Sequence, residues 1–198
     1  SAFCPPNLYS SKVINVHEGQ NPSVWVKRCS ELLRPESSVL DLACGSGRHA
    51  RYFADQGHDV TALDKNPEAL SKISSLPRIH TVEYDLEMAP WPFADRTYDA
   101  ILVTNYLYRP ILENIVDTLS PSGILIYETF MLGNERFGRP SNPDFLLRPN
   151  ELIDVTYKKL HILIYEAGRI SSPKPALVQR VCAVSGNSDY SEVAFLDE

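Results

Sequence analysis

Apolar positions along this chain switch repeatedly between a spacing of two and a spacing of three to four, and each switch marks an element. Residues 23–33 read as a helix, with Val24, Cys29, Leu32 and Leu33 on one face. Residues 38–43 form a short apolar strand that runs into a glycine turn, and a helix follows from about Ser46 to Gln56, stopped by Gly57. A second strand, 58–64, alternates and ends on Asp64. Asn66-Pro67-Glu68 then opens a helix, with Asn as cap and Pro at the first helical position. A third strand covers 79–84 and ends at Asp85; the fourth, 98–104, is rich in apolar residues, as a central parallel strand is. A helix over 109–119, a turn at 120–123 and a fifth strand over 124–129 complete the alternation. Strands alternating with helices predict an α/β fold, a parallel sheet covered on both faces.

The pattern changes after Thr129. Residues 131–149 hold Gly133, Gly138, Pro140, Pro143 and Pro149 with no period, which predicts a long loop. Loops of that length inside a compact domain are usually functional. A helix over 150–157 precedes two alternating stretches, 160–167 and 176–184, which predict an antiparallel hairpin closing the sheet. The whole chain, 1–198, is expected to form one domain with an N-terminal extension (1–22), a lid loop (131–149) and a polar tail (186–198).

Composition narrows the setting. The net charge of −6 argues against a large nucleic-acid footprint, which needs a basic face. No apolar run is long enough to span a bilayer, and no basic-then-apolar leader pattern opens the chain. Cys4, Cys29, Cys44 and Cys182 lack CxxC or zinc spacing, so reduced thiols and a cytoplasmic location are expected, with no metal.

The candidate chemistry is concentrated in Val39-Leu40-Asp41-Leu42-Ala43-Cys44-Gly45-Ser46-Gly47-Arg48. Gly45 and Gly47 permit a tight turn and close approach of a ligand. Two ligands compete for such a loop. Gly45-Ser46-Gly47-Arg48-His49-Ala50 spells the dinucleotide fingerprint, with Asp64 at the distance of a ribose-binding acid. Asp41 decides between them. A carboxylate beneath the loop repels a pyrophosphate but suits an amino group, and S-adenosylmethionine carries an ammonium and a sulfonium.

On these residues the chain resembles the class I S-adenosylmethionine-dependent methyltransferases over nearly its whole length, most closely the small bacterial enzymes of tellurite-resistance and thiopurine type. The resemblance implies a Rossmann-like fold with a mostly parallel seven-stranded sheet and a C-terminal antiparallel hairpin, and S-adenosyl-L-methionine as cofactor. It implies that the glycine loop, with Asp41, Ala43, Gly45 and Gly47, receives the donor. Asp64, with Lys65 beside it, matches the acid that binds the ribose hydroxyls, and Asp85-Leu86 the pair that holds the adenine. Thr104-Asn105-Tyr106 matches the lining of the methionine part.

Catalysis is less visible, because aligning a nucleophile on a methyl sulfonium requires no dedicated base. His49, Tyr106, Tyr108, Arg109 and Arg136 are the candidates, with Glu128, Glu135, Arg139 and Arg148 nearby in sequence order. His49 reads equally as a general base or a packing residue. The arginines read as an anion-binding lid or as solvated loop charges. Thr104-Asn105-Tyr106-Leu107 lacks the prolines of the tetrapeptide common in base-amino methyltransferases, and no zinc ligands are grouped for a thiol acceptor. A small-molecule acceptor, anionic where the arginines form a binding lid, is the expectation, with neither nucleic acid nor membrane as partner. A silent donor-binding module acting through a protein partner and a nicotinamide-dependent oxidoreductase are the alternatives.

Overall fold

The computed structural model describes residues 21–186; the tail beyond Gly186 and all but the last two residues of the N-terminal extension lie outside them. Seven strands form one sheet: β1 (Ser38–Leu42), β2 (Asp59–Asp64), β3 (Ile79–Glu83), β4 (Tyr98–Thr104), β5 (Leu119–Phe130), β6 (Leu160–Ile170) and β7 (Ala176–Ser185). Their order is β3-β2-β1-β4-β5-β7-β6. The first five run parallel, and β7 enters antiparallel between β5 and β6. The strand order reverses at β1 and β4, and beyond their carboxyl ends lies the crevice where open α/β sheets take ligands.

Alternation sorts the side chains of each strand into two layers. Val39, Val60, Ala62 and Leu102 pack with Trp25, Val26 and Cys29 of α1 (Val24–Ser30), Ala50 and Phe53 of α2 (Arg48–Asp55), and Leu70 of α3 (Pro67–Ser71). Leu40, Leu42, Ile101 and Val103 face Leu112 and Ile115 of α4 (Leu112–Asp117) and Leu152 of α5 (Glu151–Thr156). Asp41 shares the parity of Val39, so it lies under α2 with the first layer.

Several expectations shift. Val24 is 82% exposed, and Trp25 and Val26 take the buried face instead. The stretch read as a helix over 109–119 splits into a 3-10 turn at Arg109–Ile111 and α4. The predicted turn at 120–123 stays in the sheet: pairing jumps from Tyr98↔Leu119 to Ala100↔Ile124, an irregularity that absorbs the extra residues inside β5. The loop 131–149 is partly regular, with one-turn 3-10 helices at Asn134–Arg136 and Pro143–Phe145 and buried Leu146 and Leu147. No helix of the described residues is long and apolar enough to cross a membrane.

Candidate functional site

The loop after β1 turns through Ala43 (φ 53°), Gly45 (φ 54°) and Gly47 (φ 75°), all left-handed. Gly47 has a steric reason to be glycine as well, since a Cβ there would meet Ile73 Cδ1 at 2.5 Å. A Cβ on Gly45 would meet nothing within 4 Å, so open space fronts the loop. Asp64, at the end of β2, braces it: Oδ2 accepts the Gly45 N–H at 2.7 Å and Oδ1 the Asn66 N–H at 2.9 Å. Each carboxylate oxygen retains a second lone pair. Beyond β3, Asp85 Oδ1 accepts the Glu87 N–H at 2.9 Å, and Oδ2 lies 3.9 Å from Lys65 Nζ. Leu86 is buried beside it.

Asp41 is the anomaly. Its carboxylate is fully buried, and neither oxygen has a hydrogen-bond partner among the described residues. Burial raises its pKa to about 7; the nearby Ala50 N–H, short of hydrogen-bond geometry, and the Arg48 charge offset this only in part. An unpartnered buried carboxylate is costly, and a cation brought to it recovers that cost.

Thr104 ends β4 on the same face, since Asp41 pairs with Leu102. His49, 2% exposed on the first turn of α2, stands over it with Nδ1 3.4 Å from Thr104 Oγ1. Its Nε2 accepts the Ser23 N–H at 3.1 Å. Burial, then the Arg48 charge, lowers the His49 pKa to about 3, so the ring is neutral and both nitrogens are engaged. Ser23 caps α1 and donates its hydroxyl to Glu128 Oε1 at 2.8 Å, while Arg180 Nε donates to Glu128 Oε2 at 2.5 Å. Arg180 reaches on to Glu166, which also pairs with Arg28. Ser23 and Arg180 were not singled out from the sequence; a serine opening an apolar helix was the only local signal for the first.

The remaining candidates separate. Asn105 is exposed with φ 55°, its N–H bonded to Glu128 O at 2.9 Å. Tyr106 is half-buried with its hydroxyl 3.5 Å from Glu87 Oε1, and burial followed by the Glu87 charge pushes its pKa up. Tyr108 is half-buried against the second layer. Arg109 is tied into the loop: Nε donates to Glu151 Oε1 at 2.7 Å, Nη1 to Asp144 O at 2.8 Å and Nη2 to Leu146 O at 2.9 Å. Arg148 joins the same Glu151. Arg136 and Arg139 are exposed and form no salt bridge with a described residue.

Residues 39–123 match the model of the family described as "Methyltransferase domain". That stretch of the chain is similar to a methyltransferase domain. The chain is 30% identical over 118 residues to the putative methyltransferase YqeM of Bacillus subtilis (strain 168), covering 52% of this chain and 47% of that protein. It is 27% identical over 125 residues to the probable S-adenosyl-L-methionine-dependent methyltransferase TehB of Haemophilus influenzae (strain 10810), covering 59% and 41%. The chain thus spans about half the length of these relatives. The crystal structure of TehB from Haemophilus influenzae shares the fold with a TM-score of 0.68 at 24% identity, over 81% of this chain and 61% of that one.

The cofactor of such a methyltransferase domain is S-adenosyl-L-methionine, and the residues present fit it. The unpartnered Asp41 carboxylate matches the ammonium of the methionine end. The open face of Gly45 leaves room that a side chain would fill, and Asp64 keeps lone pairs for two ribose hydroxyls.

Proposed function

We propose that the protein is a methyltransferase that moves the methyl group of S-adenosylmethionine to a small, anionic acceptor. The observation that carries the donor half is Asp41, a buried carboxylate with no hydrogen-bond partner among the described residues at the foot of a glycine loop. When bound, S-adenosylmethionine supplies the electrophilic methyl. The chain supplies binding and alignment: Asp41 receives the ammonium, Asp64 the ribose, and Asp85 with Leu86 the adenine. Tyr106 and Tyr108 wall the pocket.

The acceptor half rests on two observations. His49 cannot readily take a proton, because its Nε2 lone pair is occupied and burial holds the ring neutral. An acceptor that is already an anion, such as a carboxylate, attacks without losing a proton and needs no base. Arg136 and Arg139 lie on the exposed loop after β5 with no acid paired to them among the described residues, placed to meet such an anion. The net charge of −6 favours a small acceptor over nucleic acid, and buried unpaired Cys29, Cys44 and Cys182 favour the cytoplasm. Screening carboxylate and other oxyanion acceptors with methyl-labelled donor tests this reading. Turnover on anionic acceptors, with KM raised in an Arg136→Ala/Arg139→Ala variant at unchanged donor affinity, is expected. Donor binding combined with turnover confined to neutral amines would overturn the acceptor class.

A further inference from the structure

Two buried histidines accept a backbone N–H, but on opposite ring nitrogens. Ser37 N–H donates to His58 Nδ1 at 3.1 Å, whereas Ser23 N–H donates to His49 Nε2 at 3.1 Å. An amide can only donate, so the receiving nitrogen carries the lone pair, and a neutral imidazole has one proton left for the other. His58 is therefore protonated on Nε2 and His49 on Nδ1. Burial lowers both pKa values, to about 3 for His49, and so favours the neutral ring.

For His49 the consequence reaches Thr104. With the proton on Nδ1, the ring donates to Thr104 Oγ1 across 3.4 Å, and the threonine's own hydrogen cannot return to the ring. That hydrogen has no acceptor among the described residues, although Thr104 is only 9% exposed. Thr104 stands on the same sheet face as Asp41, on the neighbouring strand and two positions beyond Asp41's partner Leu102. The methionine end of the donor carries two groups, an ammonium and a carboxylate. Asp41 suits the first. A hydroxyl obliged to donate suits the second. In the opposite tautomer, Nδ1 would take the hydroxyl hydrogen and leave Thr104 an acceptor, the wrong partner for a carboxylate. The Ser23 amide is held for this task by the bonds of its own side chain to Trp25 N–H and Glu128, and Glu128 is anchored by Arg180.

We propose that His49 is a positioning residue: the Ser23 amide locks its ring as the Nδ1–H tautomer, and the locked ring fixes the Thr104 hydroxyl as a donor to the carboxylate of S-adenosylmethionine. This rests on the donor-site reading given above.

Nitrogen-15 correlation spectra of the whole chain labelled at histidine read the tautomer directly, with Gln at position 49 (His49→Gln) identifying the signal. The expected spectrum has Nδ1 protonated on His49, Nε2 protonated on His58, and no titration of His49 from pH 5 to 8. An Nε2–H or doubly protonated His49 overturns the proposal. Calorimetry with S-adenosylhomocysteine and its decarboxylated analogue then tests the target. Thr104→Val and His49→Gln should each weaken the first by about tenfold, the worth of a hydrogen bond to a charged group, and leave the second unchanged. His49→Asn, which keeps a donor near the Nδ1 position, should recover most of the loss. Equal losses for both ligands would mean a general packing role and overturn it. If the unmodified chain bound neither ligand, the donor-site reading would fall and this proposal with it. Binding of the homocysteine compound together with the wrong tautomer would remove this proposal alone. Thr104→Val is nearly isosteric, so it keeps the test decisive if the histidine variants fold poorly.

Discussion

Two aspartates at opposite ends of the parallel sheet show what distinguishes a structural acid from a site acid. Asp99, at the amino end of β4, accepts from Ser38 N–H, Ser38 Oγ and Ser120 Oγ at 2.9–3.0 Å. Burial pushes its pKa up, but these bonds and the Arg34 charge outweigh that and hold it below the ordinary value. Asp41, near the carboxyl end of β1, is more deeply buried and has none among the described residues. The amino end of the sheet is complete as it stands. At the carboxyl end the Asp41 carboxylate lacks such bonds among the described residues. The loop 131–149 follows the rule of Asp99: Arg109, Arg148 and Glu151 satisfy one another, and Glu135 Oε2 accepts the Gly133 N–H at 2.8 Å. Arg136 and Arg139 are its only arginines outside those bonds.

The largest effect that sharpens this contrast is expected of Gly45→Val. A branched side chain would fill the open face of the loop at a left-handed φ, so S-adenosylhomocysteine binding should fall beyond calorimetric detection. The fold should persist by circular dichroism; retained binding would mean the loop does not face the donor. Next comes the aspartate pair itself. Asp99→Ala removes three hydrogen bonds and should cost about 2–3 kcal/mol in urea unfolding, with donor affinity unchanged. Asp64→Ala removes two loop hydrogen bonds and should also weaken the donor by about 1–3 kcal/mol, the loss Asp99→Ala spares.

Asp41 also predicts a pH dependence with a definite sign. Its folded pKa of about 7 lies above the ordinary 3.8, so the folded chain binds the proton more tightly than the unfolded chain. That stabilisation is complete below about pH 4 and is lost as pH rises to about 7, by roughly 1.4 kcal/mol per unit in that window. Asp41→Asn should flatten this limb of the ligand-free stability profile and abolish donor binding. An unchanged profile would mean Asp41 is already ionised and partnered. The smallest effect is expected of Arg136→Ala/Arg139→Ala, within about 0.5 kcal/mol in stability, because neither guanidinium holds the loop.

The strands, the Asn66-Pro67 cap and the glycine loop were legible because each depends on neighbours in the chain. The phase of α1 was not: Val24 and Trp25 are both apolar, and only the packing of Trp25 with Val26 and Cys29 chooses between them. Nor was the irregularity in β5, where a Ser-Pro-Ser-Gly run that spells a turn is flanked by Leu119 and Ile124, both paired with β4. Arg109 resembled a substrate ligand because Glu151, 42 residues away, is brought to it only by the fold. The Ser23–His49 contact likewise spans 26 residues. Residue types disclosed the donor chemistry; which charges remain available depended on tertiary pairing.

The central claim is that the Asp41 end of the sheet receives the methionine end of S-adenosylmethionine. Calorimetric titration of the chain with S-adenosylhomocysteine at pH 6 and pH 8, with NAD as a control, tests it most directly. The account predicts micromolar affinity for the homocysteine compound, tighter at pH 8 where Asp41 is ionised before the ligand arrives, and none for NAD. Binding of NAD, or no binding of the homocysteine compound at either pH, would contradict it.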